Sequence, residues 1–158
     1  MTTPPRDAED HGPGVKVPPP VIVGGLLLIA WLLRLALPVP LTPPLPVAGL
    51  VVMGLGVALS AWALGLMLRA RTDPRPDRPD SVLIETGPFR FSRNPGYLGL
   101  LVFSAGLALR WGSLWGWLAV VLAFVLLDRL VVTREERYLR RRFGAAYDAY
   151  VTRVRRWM

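Results

Sequence analysis

The sequence contains no cysteine, one histidine and a single lysine among 158 residues. Without cysteine there can be no disulfide, no thiolate nucleophile and no cysteine-ligated metal. The histidine, His11, lies among Pro4, Pro5, Pro13, Asp7, Glu9 and Asp10. A histidine triad or histidine metal site is therefore not expected, and no metal is assigned. Acidic residues are also scarce: 11 stand against 19 basic ones, for a formal net charge of +8.

What the chain does have is apolar length. Hydrophobic residues make up 53% of it, and its mean hydropathy is +0.40. These residues are concentrated in long uncharged runs, which makes the bilayer the expected solvent. Residues 1–20 are proline-rich and acidic, predicting a disordered tail rather than a signal peptide. Residues 21–158 form the single predicted domain. Val21 to Leu37 is a first apolar run, broken only by Arg34. Pro38, Pro40, Pro43 and Pro44 then end the helix. Leu45 to Leu68 carries no charge and is long enough to span a membrane, which takes about 20 apolar residues. Pro95–Leu109 and Trp111–Leu127 are shorter apolar runs joined by a glycine- and tryptophan-containing turn. The predicted fold is all-α and membrane-integral, with about four transmembrane helices. The last two form a hairpin, followed by cytoplasmic C-terminal helices.

The 18 arginines flank these runs. Arg69, Arg71, Arg75, Arg78, Arg90 and Arg93 lie in one connection and more follow Asp128, whereas Arg34 and Arg110 stand alone at the opposite ends. The positive-inside rule then predicts that both termini and the 69–93 segment are cytoplasmic. Snorkelling to the interface accounts for Arg34 and Arg110. Since the arginines border apolar spans, membrane lipids are the expected partners and nucleic acid is not. Gly54, Gly56 and Ala58 offer a small-residue face for helix association; oligomeric state stays open.

Two stretches could carry chemistry. In the first, Val82, Leu83 and Ile84 are expected to be extended, and Gly87-Pro88 to turn. Asn94 is placed as an N-cap with Pro95 at the first helical position. A helix start of this kind presents amide N–H groups and partial positive charge to an anion, and Arg90 and Arg93 add to it. Gly96 and Gly99 permit close approach. In the second, Glu136 and Arg140 are spaced as a helical ion pair. Phe143-Gly144 is expected to end that helix, with glycine in a left-handed cap. Tyr147, Tyr150, Val151 and Val154 would line one face of a short amphipathic helix. Ordinary interfacial structure could explain each stretch taken alone.

Taken together, Gly87-Pro-Phe-Arg-Phe-Ser-Arg-Asn-Pro-Gly-Tyr-Leu-Gly99 and the later Glu135-Glu136, Leu139, Phe143-Gly144, Tyr147 and Tyr150 resemble the isoprenylcysteine carboxyl methyltransferase and phospholipid methyltransferase family. The resemblance covers residues 45–156. It implies a membrane-embedded methyltransferase that uses S-adenosylmethionine and acts on a lipid-like or prenylated small-molecule acceptor at the cytoplasmic interface. It implies that Ser81, Val82, Leu83, Ile84 and Phe89 line the adenosine. Asn94, Pro95, Gly96 and Tyr97 would cradle the cofactor, Glu135 would meet its polar end, and Arg93 its carboxylate. Glu135, Glu136 and Arg134 are the candidate catalytic residues. The chain departs from the family at two positions. Asn94 stands where many relatives have histidine and cannot shuttle a proton. Val131 stands where the eukaryotic carboxyl methyltransferases have an arginine, a role open here to Arg129 or Arg134. An amine or hydroxyl acceptor would need a base, with Glu135, Glu136, Tyr97 and Tyr147 as candidates. A nicotinamide-dependent reductase of the sterol-reductase type and a non-enzymatic membrane module are the alternatives.

Overall fold

The computed structural model describes residues 17–70 and 82–158. Helix α1 runs Pro19–Ala36, α2 Pro46–Arg69, α3 Pro95–Trp111, α4 Leu114–Leu126, α5 Thr133–Phe143 and α6 Ala145–Arg153. A 3-10 turn, Gly87–Arg90, precedes α3, and a π segment, Leu127–Val132, joins α4 to α5 without a break. The regular elements among the described residues are all helical, as the sequence predicted. Most of the 1–20 tail lies outside the described residues, and α1 begins two residues earlier than the apolar run.

Proline marks the starts. Pro19, Pro46 and Pro95 each lie in the first turn of a helix, where the missing N–H costs no intrahelical bond. Glycine marks the ends. Gly112 closes α3 at φ 61° and Gly144 closes α5 at φ 52°, positions where a Cβ would be strained. The proline-rich connection 37–44 is laid over the α3–α4 turn. Leu41 and Thr42 N–H groups donate to the Gly112 carbonyl, Leu114 N–H donates to the Val39 carbonyl, and Trp115 Nε1 donates to the Leu37 carbonyl at 2.7 Å. Backbone groups at a membrane boundary need such partners.

Three helices have the length and hydropathy to cross a membrane: α1, α2 and the continuous helix Leu114–Phe143 of 30 residues. With 17 residues, α3 is shorter, about 26 Å at 1.5 Å per residue. It packs along α2 through small residues. A Cβ at Gly49 would lie 2.6 Å from the Gly106 carbonyl oxygen, and one at Gly56 2.6 Å from that of Gly99. Lipid gives no hydrophobic drive for helices to associate, so close backbone approach does it instead. Gly56 is thus used within the chain, whereas Gly54 faces open space. On the other side of α3, α1 and α4 meet around Val23, Leu101, Ala123, Leu127 and Val131.

Candidate active site

The start of α3 and the start of α5 come together at the arginine-rich end of the bundle. Tyr97, in the first turn of α3, donates its hydroxyl to Glu135 Oε1 at 2.5 Å. Four residues earlier, Arg93 Nη1 lies 3.2 Å from Glu136 Oε1, both side chains being largely buried at 12% and 15% exposure. The two separated motifs are therefore one cluster in space. Arg93 Nε is buried with no hydrogen-bond partner among the described residues. Such a donor costs free energy unless something accepts from it. Among the described residues, a Cβ built on Gly96 would meet nothing within 4 Å, so the helix start opens onto space on that side. Its carbonyl is held by Ser60 Oγ of α2 at 3.0 Å.

Asn94 occupies the N-cap position but makes no side-chain cap bond. Its amide instead donates to the Arg156 carbonyl at 3.0 Å. Ser92 Oγ donates to the same carbonyl at 3.2 Å, and Arg93 N–H donates to the Arg155 carbonyl at 3.0 Å. The segment after α6 thus runs back across the start of α3. Glu136 does not take the expected helical partner. Arg140 pairs with Asp148 at 2.7 Å, whereas Glu136 pairs with Arg93 and Arg156. The side chain of Arg156 also reaches Asp128 at 3.1 Å. Hydrogen bonding to Glu136 raises the Arg156 pKa, burial opposes this, and the bond to Asp128 adds to it.

The remaining candidate residues surround this cluster. Pro95 is buried at the first helical position. Phe89 is half-buried, and its carbonyl accepts from Tyr150 Oη at 2.6 Å. Leu83 packs on Tyr147, Tyr150 and Val154. The face expected for α6 is thus turned inward onto this segment. Val82 is 49% exposed, and Ile84 is half-buried beside Leu83. Ser81 lies outside the described residues. Arg134 is exposed immediately before Glu135. Arg129 is 80% exposed, and Val131 is fully buried in the apolar core. The second guanidinium at the carboxylates is that of Arg156, which no local pattern in the sequence singles out. Burial raises the Tyr147 pKa, the nearby Glu136 charge adds to this, and Arg93 opposes it. Tyr147 is therefore held neutral and is poorly placed to act as a base.

The bundle thus joins three helices long and apolar enough to cross a membrane to a polar cluster at one helical end. The family model describing phospholipid methyltransferases matches residues 45–146, from the approach to α2 through the start of α6. The chain belongs to the phospholipid methyltransferase family and is a membrane methyltransferase. An uncharacterized protein of Haemophilus influenzae is 36% identical over 62 residues, 39% of this chain and 98% of that relative. No solved structure matches the chain.

Proposed function

We propose that the protein transfers a methyl group from S-adenosylmethionine to a lipid-like or isoprenylcysteine-type acceptor at the cytoplasmic membrane interface. The observation that carries this reading is the meeting of the two family motifs through Tyr97–Glu135 and Arg93–Glu136. The residues present suit the cofactor: carboxylates for an ammonium group and hydroxyls, and, among the described residues, a buried guanidinium N–H with no acceptor and open space at Gly96. When bound, the cofactor supplies an electrophilic methyl group on a sulfonium. The protein's contribution is then mainly positioning, since in-line displacement depends on holding two centres in contact geometry. In this reading Arg93 and the amide groups at the start of α3 face the carboxylate. Glu135 faces the amino group, and Val82 to Ile84 with Phe89 flank the base. Tyr97 donates its hydroxyl to Glu135, and in this reading that carboxylate is the acceptor for the proton that an amine or hydroxyl substrate would release. The arginine distribution supports an orientation with both termini in the cytoplasm.

The test is calorimetric titration of the detergent-solubilised protein with S-adenosylhomocysteine, and with NADPH in parallel. Micromolar binding of the homocysteine compound alone is expected. Binding of NADPH alone would replace this reading with a reductase. Binding of neither, in folded protein, would favour a non-enzymatic module.

A further inference from the structure

The segment Val154–Trp157 is tied down from both directions. Its backbone carbonyls at Arg155 and Arg156 accept from Arg93 N–H, Ser92 Oγ and Asn94 Nδ2. Its side chains reach the other way. Arg156 Nε and Nη2 both donate to the Glu136 carboxylate, while Nη1 donates to Asp128 Oδ1 at 3.1 Å. Trp157 Nε1 donates to the same Asp128 oxygen at 3.0 Å. The Trp157 ring packs on Phe124 of α4, with centroids 5.2 Å apart.

This arrangement depends on the π segment. Asp128 and Glu136 are eight residues apart, which in a regular α-helix is about 800°, roughly 80° past two full turns. A π segment closes i→i+5 and turns less per residue. Leu127–Val132 is such a segment. It takes up the excess rotation and presents both carboxylates along one line, where a single guanidinium spans them. Glu136 Oε1 is then shared between Arg156 Nε at 3.1 Å and Arg93 Nη1 at 3.2 Å.

We propose that Arg156 is a positioning residue: it fixes the Glu136 carboxylate, and through it Arg93, and so latches the C-terminal segment across the start of α3. In its consequence for ligand binding the proposal rests on the cofactor reading above; in its consequence for backbone order it does not. A buried guanidinium is aimed well only when its carboxylate partner is itself held.

The experiment compares the full chain in detergent with Arg156→Gln, Arg156→Lys, Glu136→Gln and the Arg156→Gln/Glu136→Gln double variant. Hydrogen–deuterium exchange of the peptide containing Arg93 reads the latch. Calorimetry with S-adenosylhomocysteine reads the site. In Arg156→Gln, exchange is expected to quicken and affinity to fall by about tenfold, the size of a coupling between directly bonded neighbours. Lysine should restore part of both, and the double variant should be no worse than the poorer single one. Unchanged exchange and affinity in Arg156→Gln would overturn the proposal, as would full additivity in the double variant. If the unaltered protein does not bind the compound, the cofactor reading falls and exchange alone decides the latch: faster exchange that lysine corrects upholds it, and unchanged exchange removes it. Should Arg156→Gln not fold, Asp128→Asn carries the same two measurements. It leaves Arg156 with Glu136 alone and should give a smaller effect of the same sign.

Discussion

The α2–α3 seam and the polar end of the bundle are held by opposite means. Along the seam, side chains are absent where the helices cross: Gly49 meets Gly106, Gly56 meets Gly99, and each added Cβ would strike backbone. At the polar end, long charged side chains cross between segments far apart in sequence, as Arg93, Glu136, Arg156 and Asp128 do. The seam tolerates no added atom, since overpacking forces backbone shifts. The polar end tolerates changes of volume better than changes of charge, because each carboxylate there is matched to a named guanidinium or hydroxyl.

The sharpest way to break this contrast is Gly56→Leu beside Gly54→Leu on the same helix. The first should separate α2 from α3, costing more than the roughly 1–3 kcal/mol of ordinary overpacking, and should sharply lower the yield of monodisperse protein. The second, pointing to open space, should leave the elution profile unchanged. Equal tolerance at both positions would mean the seam is loose. Next in size is Glu135→Ala. Affinity for S-adenosylhomocysteine should drop about ten- to a hundredfold, the range of a charged hydrogen bond of roughly 1.5–3 kcal/mol. The thermal midpoint should move little, and retained affinity would shift the site away from the glutamates.

A third test uses pH. Burial raises the pKa of both Tyr147 and Tyr150 above the ordinary 10.0. In the unfolded chain a tyrosine ionises near pH 10. The stability these buried neutral phenols contribute is therefore complete below pH ~10 and lost as pH rises through their native values. The thermal midpoint should fall above pH ~10, and Tyr150→Phe should flatten that fall. A midpoint indifferent to alkali would contradict the burial of this cluster. The smallest effect is expected from Arg34→Leu. Arg34 sits 5.9 Å from the Trp111 ring centroid, a half-buried contact of about 0.5–2 kcal/mol, at the far end from the cluster. Ligand affinity should not change; a large loss would place α1 in the site.

Local rules made much of this legible. Pro95 announced a helix start, Gly144 announced an end, and apolar length announced the spans; Pro19, read as part of the tail, instead opens α1. The sequence motifs also named Arg93, Tyr97, Glu135 and Glu136, which the fold brings together. Local rules failed where a partner lay far away in the chain. Glu136 and Arg140 have ideal helical spacing, yet each takes a partner elsewhere, because α5 turns Glu136 inward and α6 brings Asp148 to Arg140. Asn94 has the right chemistry for a cap, but its amide is drawn to the Arg156 carbonyl. No local pattern joins Arg156, Asp128 and Trp157 into one unit, since the carboxylate and the guanidinium that binds it are 28 positions apart in the chain. Val131 explains itself only in three dimensions: it faces Val23 and Leu101, where an arginine would be buried in the apolar core.

The unbroken helix Leu114–Phe143 also acts as a ruler. Thirty residues measure about 45 Å against a hydrocarbon layer of about 30 Å. Some 15 Å of stiff rod is left to stand clear of the oil, with the glutamate pair on that projecting length. The elevation of the glutamate pair above the acyl chains is thereby built into the backbone. For an acceptor anchored in the bilayer, reach from its anchor becomes a criterion of selection, and thinning or thickening the membrane would change which head groups arrive at the right height.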